Sequence, residues 1–111
     1  MRYGLSDEVI ARIQRVFADN PEIDRVILYG SRAKGNYRNG SDLDLTIVGK
    51  GLTLSILARI EAELDDLLLP YRIDLSVLDW IEDPHVREHI ARVGQVFYPA
   101  MTPPATSTSP T

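Results

Sequence analysis

The sequence predicts a small α/β (α+β) domain on three observations. Apolar runs alternate at strand spacing, amphipathic stretches at helical spacing lie between them, and Gly, Pro or Asn punctuates most changes of pattern. At 111 residues the chain has room for one domain with a modest core, and none for a second, substrate-holding domain. An apolar share of 44% and a charged share of 25% place it among ordinary globular proteins, so the body of the chain is read as folded. There are no cysteines, which excludes disulfides, thiolate metal sites and a cysteine nucleophile. No apolar run approaches the roughly 18 residues of a membrane span, and Met1-Arg2-Tyr3-Gly4 leads into a helix start instead of a signal peptide. A cytoplasmic location is expected. The formal net charge of -4 argues against a duplex nucleic acid partner, because binding to a phosphate backbone rests on clustered Lys and Arg.

In chain order, Ser6 followed by Asp7 and Glu8 starts a helix, whose apolar residues Val9, Ile10, Ile13, Val16 and Phe17 repeat until Asn20-Pro21. Arg25 to Tyr29 reads as a buried strand. A short helix fits between Arg32 and Ser41, with Asn39-Gly40 turning the chain back. Asp42 to Val48 is the second strand, with Asp42, Asp44 and Thr46 on one face and Leu43, Leu45 and Ile47 on the other. Leu54, Leu57, Ile60, Leu64 and Leu67 mark a second amphipathic helix over 54–69, and Arg59, Glu61, Glu63, Asp65 and Asp66 form its solvated face. After Pro70, residues Tyr71 to Leu78 alternate again and put Asp74 in mid-strand on the polar face. Asp83-Pro84 caps a last helix that Gly94 closes, and Val96-Phe97-Tyr98 is a short apolar stub. From Pro99 the composition turns to Pro, Thr, Ser and Ala, too weakly apolar to order itself, so 99–111 is expected to be a disordered tail. No internal repeat is visible.

The chemistry concentrates between Tyr29 and Leu45. Gly30-Ser31 follows the apolar run Val26-Ile27-Leu28, and ten residues later the chain delivers Asp42-Leu43-Asp44. Residues two apart on a strand share a face, so these carboxylates stand about 7 Å apart at the backbone and repel each other unless a cation lies between them. Hard oxygen ligands of this kind suit Mg²⁺, which favours one or two carboxylates together with phosphate oxygens. Glycine lets the backbone approach a phosphate, Ser31 adds a hydroxyl, and Arg32 and Lys34 add positive charge. The stretch is not a Walker A loop, because Asn36-Tyr37 stands where Lys-[Ser/Thr] is required. If the strand bearing Asp74 lies beside that bearing Asp44, three carboxylates can meet around one centre and hold two divalent ions, an arrangement suited to in-line phosphoryl or nucleotidyl transfer.

Gly30-Ser31, the paired Asp42 and Asp44, and the later strand residue Asp74 resemble the DNA polymerase beta-like nucleotidyltransferase superfamily. Gly30-Ser31-Arg32-Ala33-Lys34-Gly35 and the short length narrow the resemblance to the minimal nucleotidyltransferases, over residues 6–98. The resemblance implies a small mixed β-sheet with helices packed on one face, in a nucleotidyltransferase domain over 1–98. It implies a nucleoside triphosphate such as ATP, bound with Mg²⁺, and transfer of AMP to a hydroxyl. It further implies a HEPN-domain toxin as partner, neutralised by adenylylation of a tyrosine. Gly30 and Ser31 map onto the triphosphate turn, Asp42 and Asp44 onto the metal pair, Asp74 onto the third carboxylate, and Arg32 and Lys34 onto phosphate contacts. Two other functions share these residues: an antitoxin that blocks its partner by contact alone, and nucleotidyl transfer to a small molecule.

Blander readings stand beside these. Asp42 could be a turn cap, and Asp74 could be an ion-pair partner of Arg72 or Arg32. A covalent role for Ser31 is disfavoured because Tyr29-Gly30-Ser31-Arg32-Ala33 lacks the second glycine of a hydrolase elbow. His85-Val86-Arg87-Glu88-His89 matches the H-x-x-E-H string of inverted zinc proteases, but no third ligand follows, so it is read as a partly exposed helix.

Overall fold

The computed structural model describes residues 2–99, so the expected tail, apart from Pro99, lies outside the described residues. Helix α1 (Asp7–Ala18) is capped by Ser6, whose Oγ accepts from the Val9 amide at 3.2 Å, and Asp7 and Glu8 in its first turn suit the helix dipole. It buries Ile10, Ile13, Val16 and Phe17. Strand β1 (Ile23–Tyr29) follows, then the one-turn helix α2 (Ser31–Lys34), strand β2 (Leu43–Gly49), helix α3 (Leu54–Asp65), strand β3 (Ile73–Val77), helix α4 (Pro84–Val93) and strand β4 (Gln95–Tyr98). A 3-10 turn over Leu78–Trp80 leads from β3 towards α4.

The four strands form one mixed sheet in the order β3-β2-β1-β4. β1 runs antiparallel to both neighbours, whereas β2 and β3 are parallel and joined by α3 as the crossover helix. The stub at Val96-Phe97-Tyr98 is thus an edge strand. On one face Val26, Leu28, Leu43, Leu45, Ile47 and Leu75 pack with Ile10, Ile13, Phe17, Ile60 and Leu64 of α1 and α3. Each of these large side chains gains about 1.5–3 kcal/mol on burial, so this layer dominates the stability. The opposite face carries Arg25, Ile27 and Tyr29 of β1, Asp44 and Thr46 of β2, and Asp74 and Ser76 of β3, as period two requires.

Helix α4 approaches that second face. The His89 ring stands edge-on to Tyr29, with centroids 6.3 Å apart, and a Cβ at Gly94 would collide with the Ile90 carbonyl and the Ile27 side chain. Asp83 caps α4 by accepting from the His85 amide at 2.9 Å. Among the described residues no helix is long and apolar enough to cross a membrane.

Three details depart from the sequence reading. The second amphipathic helix ends at Asp65 instead of Leu69, and Leu68 adopts a left-handed turn conformation with φ 54°. Leu54 is 76% exposed although it lies on the apolar stripe, because side chains lean towards the helix N-terminus and the first residue has no preceding turn beneath it. Arg59, Glu61, Asp65 and Asp66 are exposed as expected, but Glu63 on the same face is half-buried. Arg59 donates to Asn20 Oδ1 at 3.0 and 2.7 Å and to Glu22 at 3.0 Å, and Asn20 donates to Glu63 at 2.8 Å, which ties α3 to the end of α1.

Candidate active site

The site is built where β1 ends. Tyr29 pairs with Asp44, and Asp44 pairs with Asp74, so three side chains stand in one row across three strands, on the face away from the core. Adjacent strands lie about 4.8 Å apart, which brings the two carboxylates within mutual electrostatic reach. Immediately beyond Tyr29 the backbone turns at Gly30, with φ 77°. Glycine is needed there twice over. Its φ is one that L-residues rarely adopt, and a Cβ would strike Asp44 Oδ2. The loop backbone therefore comes into contact with the carboxylate, and α2 opens at Ser31 with leading amides that have no intrahelical partner.

Tyr29, Gly30, Asp44 and Asp74 line one side of an open cavity of about 390 Å³, and His85, Val86 and His89 of α4 line the other. Burial pushes the Asp44 carboxyl above its ordinary range, the charges of Asp74 and then Asp42 push it further, and His89 opposes them. The Tyr29 hydroxyl is also raised, mainly by burial; a hydrogen bond with Ser76 works against this and the Asp44 and Asp74 charges add to it. No ion pair neutralises either carboxylate: the salt bridges among the described residues are Arg59–Glu22 and Arg92–Glu88. The bland reading of Asp74 as an arginine partner therefore has no support in the geometry. A carboxylate pair without an ion-pair partner among the described residues, Asp44 half-buried and Asp74 exposed, gains from a cation between its members, and its hard oxygens fit Mg²⁺.

The row contains two of the three predicted carboxylates. Asp42 is exposed and precedes Leu43, the first residue of β2, so its direction is set by the loop and the period-two argument does not reach it. It acts on Asp44 through its charge. Among the described residues no three His, Cys, Asp or Glu side chains are gathered as a group able to hold a metal ion, which also leaves the zinc string at His85 and His89 without a third ligand.

Arg32 differs from its predicted role as a phosphate contact. It is 3% exposed, and its Nη1 donates to the Tyr3 carbonyl at 2.7 Å while Nε and Nη2 donate to the Ser41 carbonyl at 3.1 and 2.9 Å. Its guanidinium also lies 5.3 Å from the Tyr37 ring centre and 4.9 Å from that of Tyr71. Buried donors satisfied by carbonyls hold a loop in shape, so Arg32 clamps both ends of the segment from Gly30 to Ser41 onto the chain start. Lys34 is exposed at the end of α2 and Ser31 is half-buried at its start, both free of that clamp. Sequence reasoning missed Tyr29, His85 and His89. The one available signal was the spacing of the histidines, since residues four apart share a helix face.

The fold and this face define a nucleotidyltransferase. Residues 11–101 match the family described as polymerase beta, nucleotidyltransferase, and the chain belongs to that family. Within it the chain is of the minimal type. A solved structure described as a minimal nucleotidyltransferase is 31% identical, with 86% of this chain and 95% of that one covered and a TM-score of 0.65. Two further structures share the fold. A toxin–antitoxin structure with AMP-PNP is 20% identical over 80% of this chain and 72% of that one, with a TM-score of 0.66. The complex of a tri-AMPylated Shewanella oneidensis HEPN toxin with an MNT antitoxin is 17% identical over 85% of this chain and 72% of that one, with a TM-score of 0.63. No curated protein sequence matches the chain significantly.

Proposed function

We propose that the chain transfers AMP from ATP to a hydroxyl, that of a tyrosine, on a HEPN toxin partner, and so acts in the cytoplasm as the antitoxin. The observation that carries this reading is the Asp44–Asp74 pair, uncompensated and facing the open cavity beside the Gly30 turn. Fold-level likeness to antitoxins solved with a HEPN toxin and with AMP-PNP supports the choice of partner and nucleotide.

In this reading the Gly30 turn, the Ser31 hydroxyl and the opening amides of α2 hold the triphosphate, and Lys34 adds charge. The acceptor oxygen attacks the α-phosphorus, a new O–P bond forms, the bond to the bridging oxygen of the β-phosphate breaks, and pyrophosphate leaves. Asp74 takes the hydroxyl proton. Asp44 and Asp74 are the residues that would hold Mg²⁺, which would supply neutralisation of phosphate charge, and Asp42 would add its charge from the loop beside them.

The test is co-expression and mass measurement. With ATP, Mg²⁺ and a candidate HEPN protein from the same genome, the partner should gain an adenylyl mass on a tyrosine, and its toxicity should fall. An unmodified partner, neutralised equally well by the Asp42→Asn chain without ATP, would instead mark an antitoxin that works by contact. Transfer to an added aminoglycoside by the isolated chain would mark a small-molecule enzyme.

A further inference from the structure

A second and larger concavity, about 550 Å³, lies on the flank of α4 away from the histidines. Its floor is the site face of the sheet. Ile27 and Arg25 continue the line of Tyr29 along β1 at two-residue steps, so the nearest strand residue of the groove, Ile27, lies roughly 7 Å along the strand from Tyr29 of the candidate site. Val96 of the edge strand β4, 41% exposed, closes one side, and Ala91 with Arg87 of α4 closes the other.

Its charge is opposite to that of the whole protein. The chain carries a formal net charge of -4, yet Arg25 and Arg87 lie along this apolar trough, and its one acidic lining residue, Glu88, is paired with Arg92 at 3.1 Å. Arg25 has no acidic partner within salt-bridge distance among the described residues. Arg87 is set in place before any ligand arrives, because its Nη1 donates to the Leu78 and Ile81 carbonyls at 2.7 and 3.1 Å. Those bonds leave Nε and Nη2 for a carboxylate. One fixed cation, Arg87, and an exposed one, Arg25, bordering an apolar strip fit a protein segment with carboxylates beside aliphatic side chains.

We propose that this groove is the docking surface for an acidic, aliphatic helical segment of the protein acceptor, which it anchors beside the transfer site. This rests on the reading of the acceptor as a protein. Other occupants fit less well: residues 100–111 carry no charged side chain, and a second copy of a chain this acidic brings net repulsion.

The test needs neither ATP nor transfer, so it stands or falls apart from the catalytic reading. Two amidated helical peptides with the same leucine spacing, one flanked by glutamates and one by lysines, are titrated into the labelled full chain and followed by amide chemical shifts. The glutamate peptide should shift Arg25, Ile27, Ala91 and Val96 and bind at least tenfold more tightly than the lysine peptide. Arg25→Glu, on an exposed strand position, should remove that preference while the thermal melt stays unchanged; Arg87→Lys, which keeps the charge but not the fork, should weaken binding less. Equal binding of both peptides, no shift at these residues, shifts there on adding ATP alone, or self-association through this face in sedimentation would each overturn the proposal.

Discussion

Asp44 on β2 and Asp74 on β3 are register partners on parallel strands, and among the described residues no basic side chain is ion-paired with either. Parallel pairing of β2 and β3 depends on the crossover helix α3, so the helix that fills the core also sets the level at which the two carboxylates meet. Tyr29 on β1 completes the row from the other side.

Removing Asp74 should abolish most transfer without harming the fold. Its side chain is exposed and unpaired, so Asp74→Asn should change the melting temperature little. If Asp74 is the proposed proton acceptor, its loss should slow single-turnover transfer by about 10²- to 10⁴-fold. A melt beside a rapid-quench assay reads both.

Asp44 is held above its ordinary pKa, chiefly by burial and then by Asp74 and Asp42. A folded-state pKa above the unfolded value means that the native state binds the proton more tightly. The associated stability is present below the unfolded pKa and is lost as pH rises through the folded one. Asp44→Asn should therefore raise the melting temperature in chelator at neutral pH, and the gain should disappear in acid below the ordinary carboxylate range. Thermal melts across pH check the sign, and the same variant should be inactive.

Gly30→Ala should be destabilising and inactive together. The positive φ and the collision with Asp44 Oδ2 combine backbone strain with displacement of a site carboxylate. A cost of about 1–3 kcal/mol in chemical denaturation is expected. Gly35→Ala, with open space around its Cβ, should show the backbone strain alone and so serves as the control.

Arg32 and Lys34 should separate cleanly. Arg32→Met leaves the Tyr3 and Ser41 carbonyls without their buried donors and should cost about 1–3 kcal/mol for each carbonyl left unpaired. Lys34→Ala, at an exposed position, should leave the melt within about 0.5 kcal/mol and weaken ATP binding in calorimetry.

Much of this was legible before any coordinates, because strand periodicity is a local property. The alternation through Leu43, Asp44 and Leu45, and again through Ile73, Asp74 and Leu75, assigns each carboxylate to a face without knowledge of the partner strand. What stayed hidden depends on distant segments meeting. Arg32 looks like a phosphate ligand beside Ser31, and only the approach of the Tyr3 carbonyl, 29 residues earlier, shows it to be a clamp. His85 and His89 read as a stray motif until the chain returns α4 across the sheet face and sets His89 against Tyr29. Asp42 marks the edge of the periodic argument, because it lies one residue before the ladder begins.

The most direct measurement follows ATP labelled at its α-phosphate in a mixture of this chain, Mg²⁺ and the proposed HEPN partner, comparing the parent with the Asp44→Asn and Asp74→Asn chains. The account predicts label on the partner, matched by released pyrophosphate, and none with either variant. Label transferred equally by both variants, or a fully neutralised partner carrying no label, would contradict it.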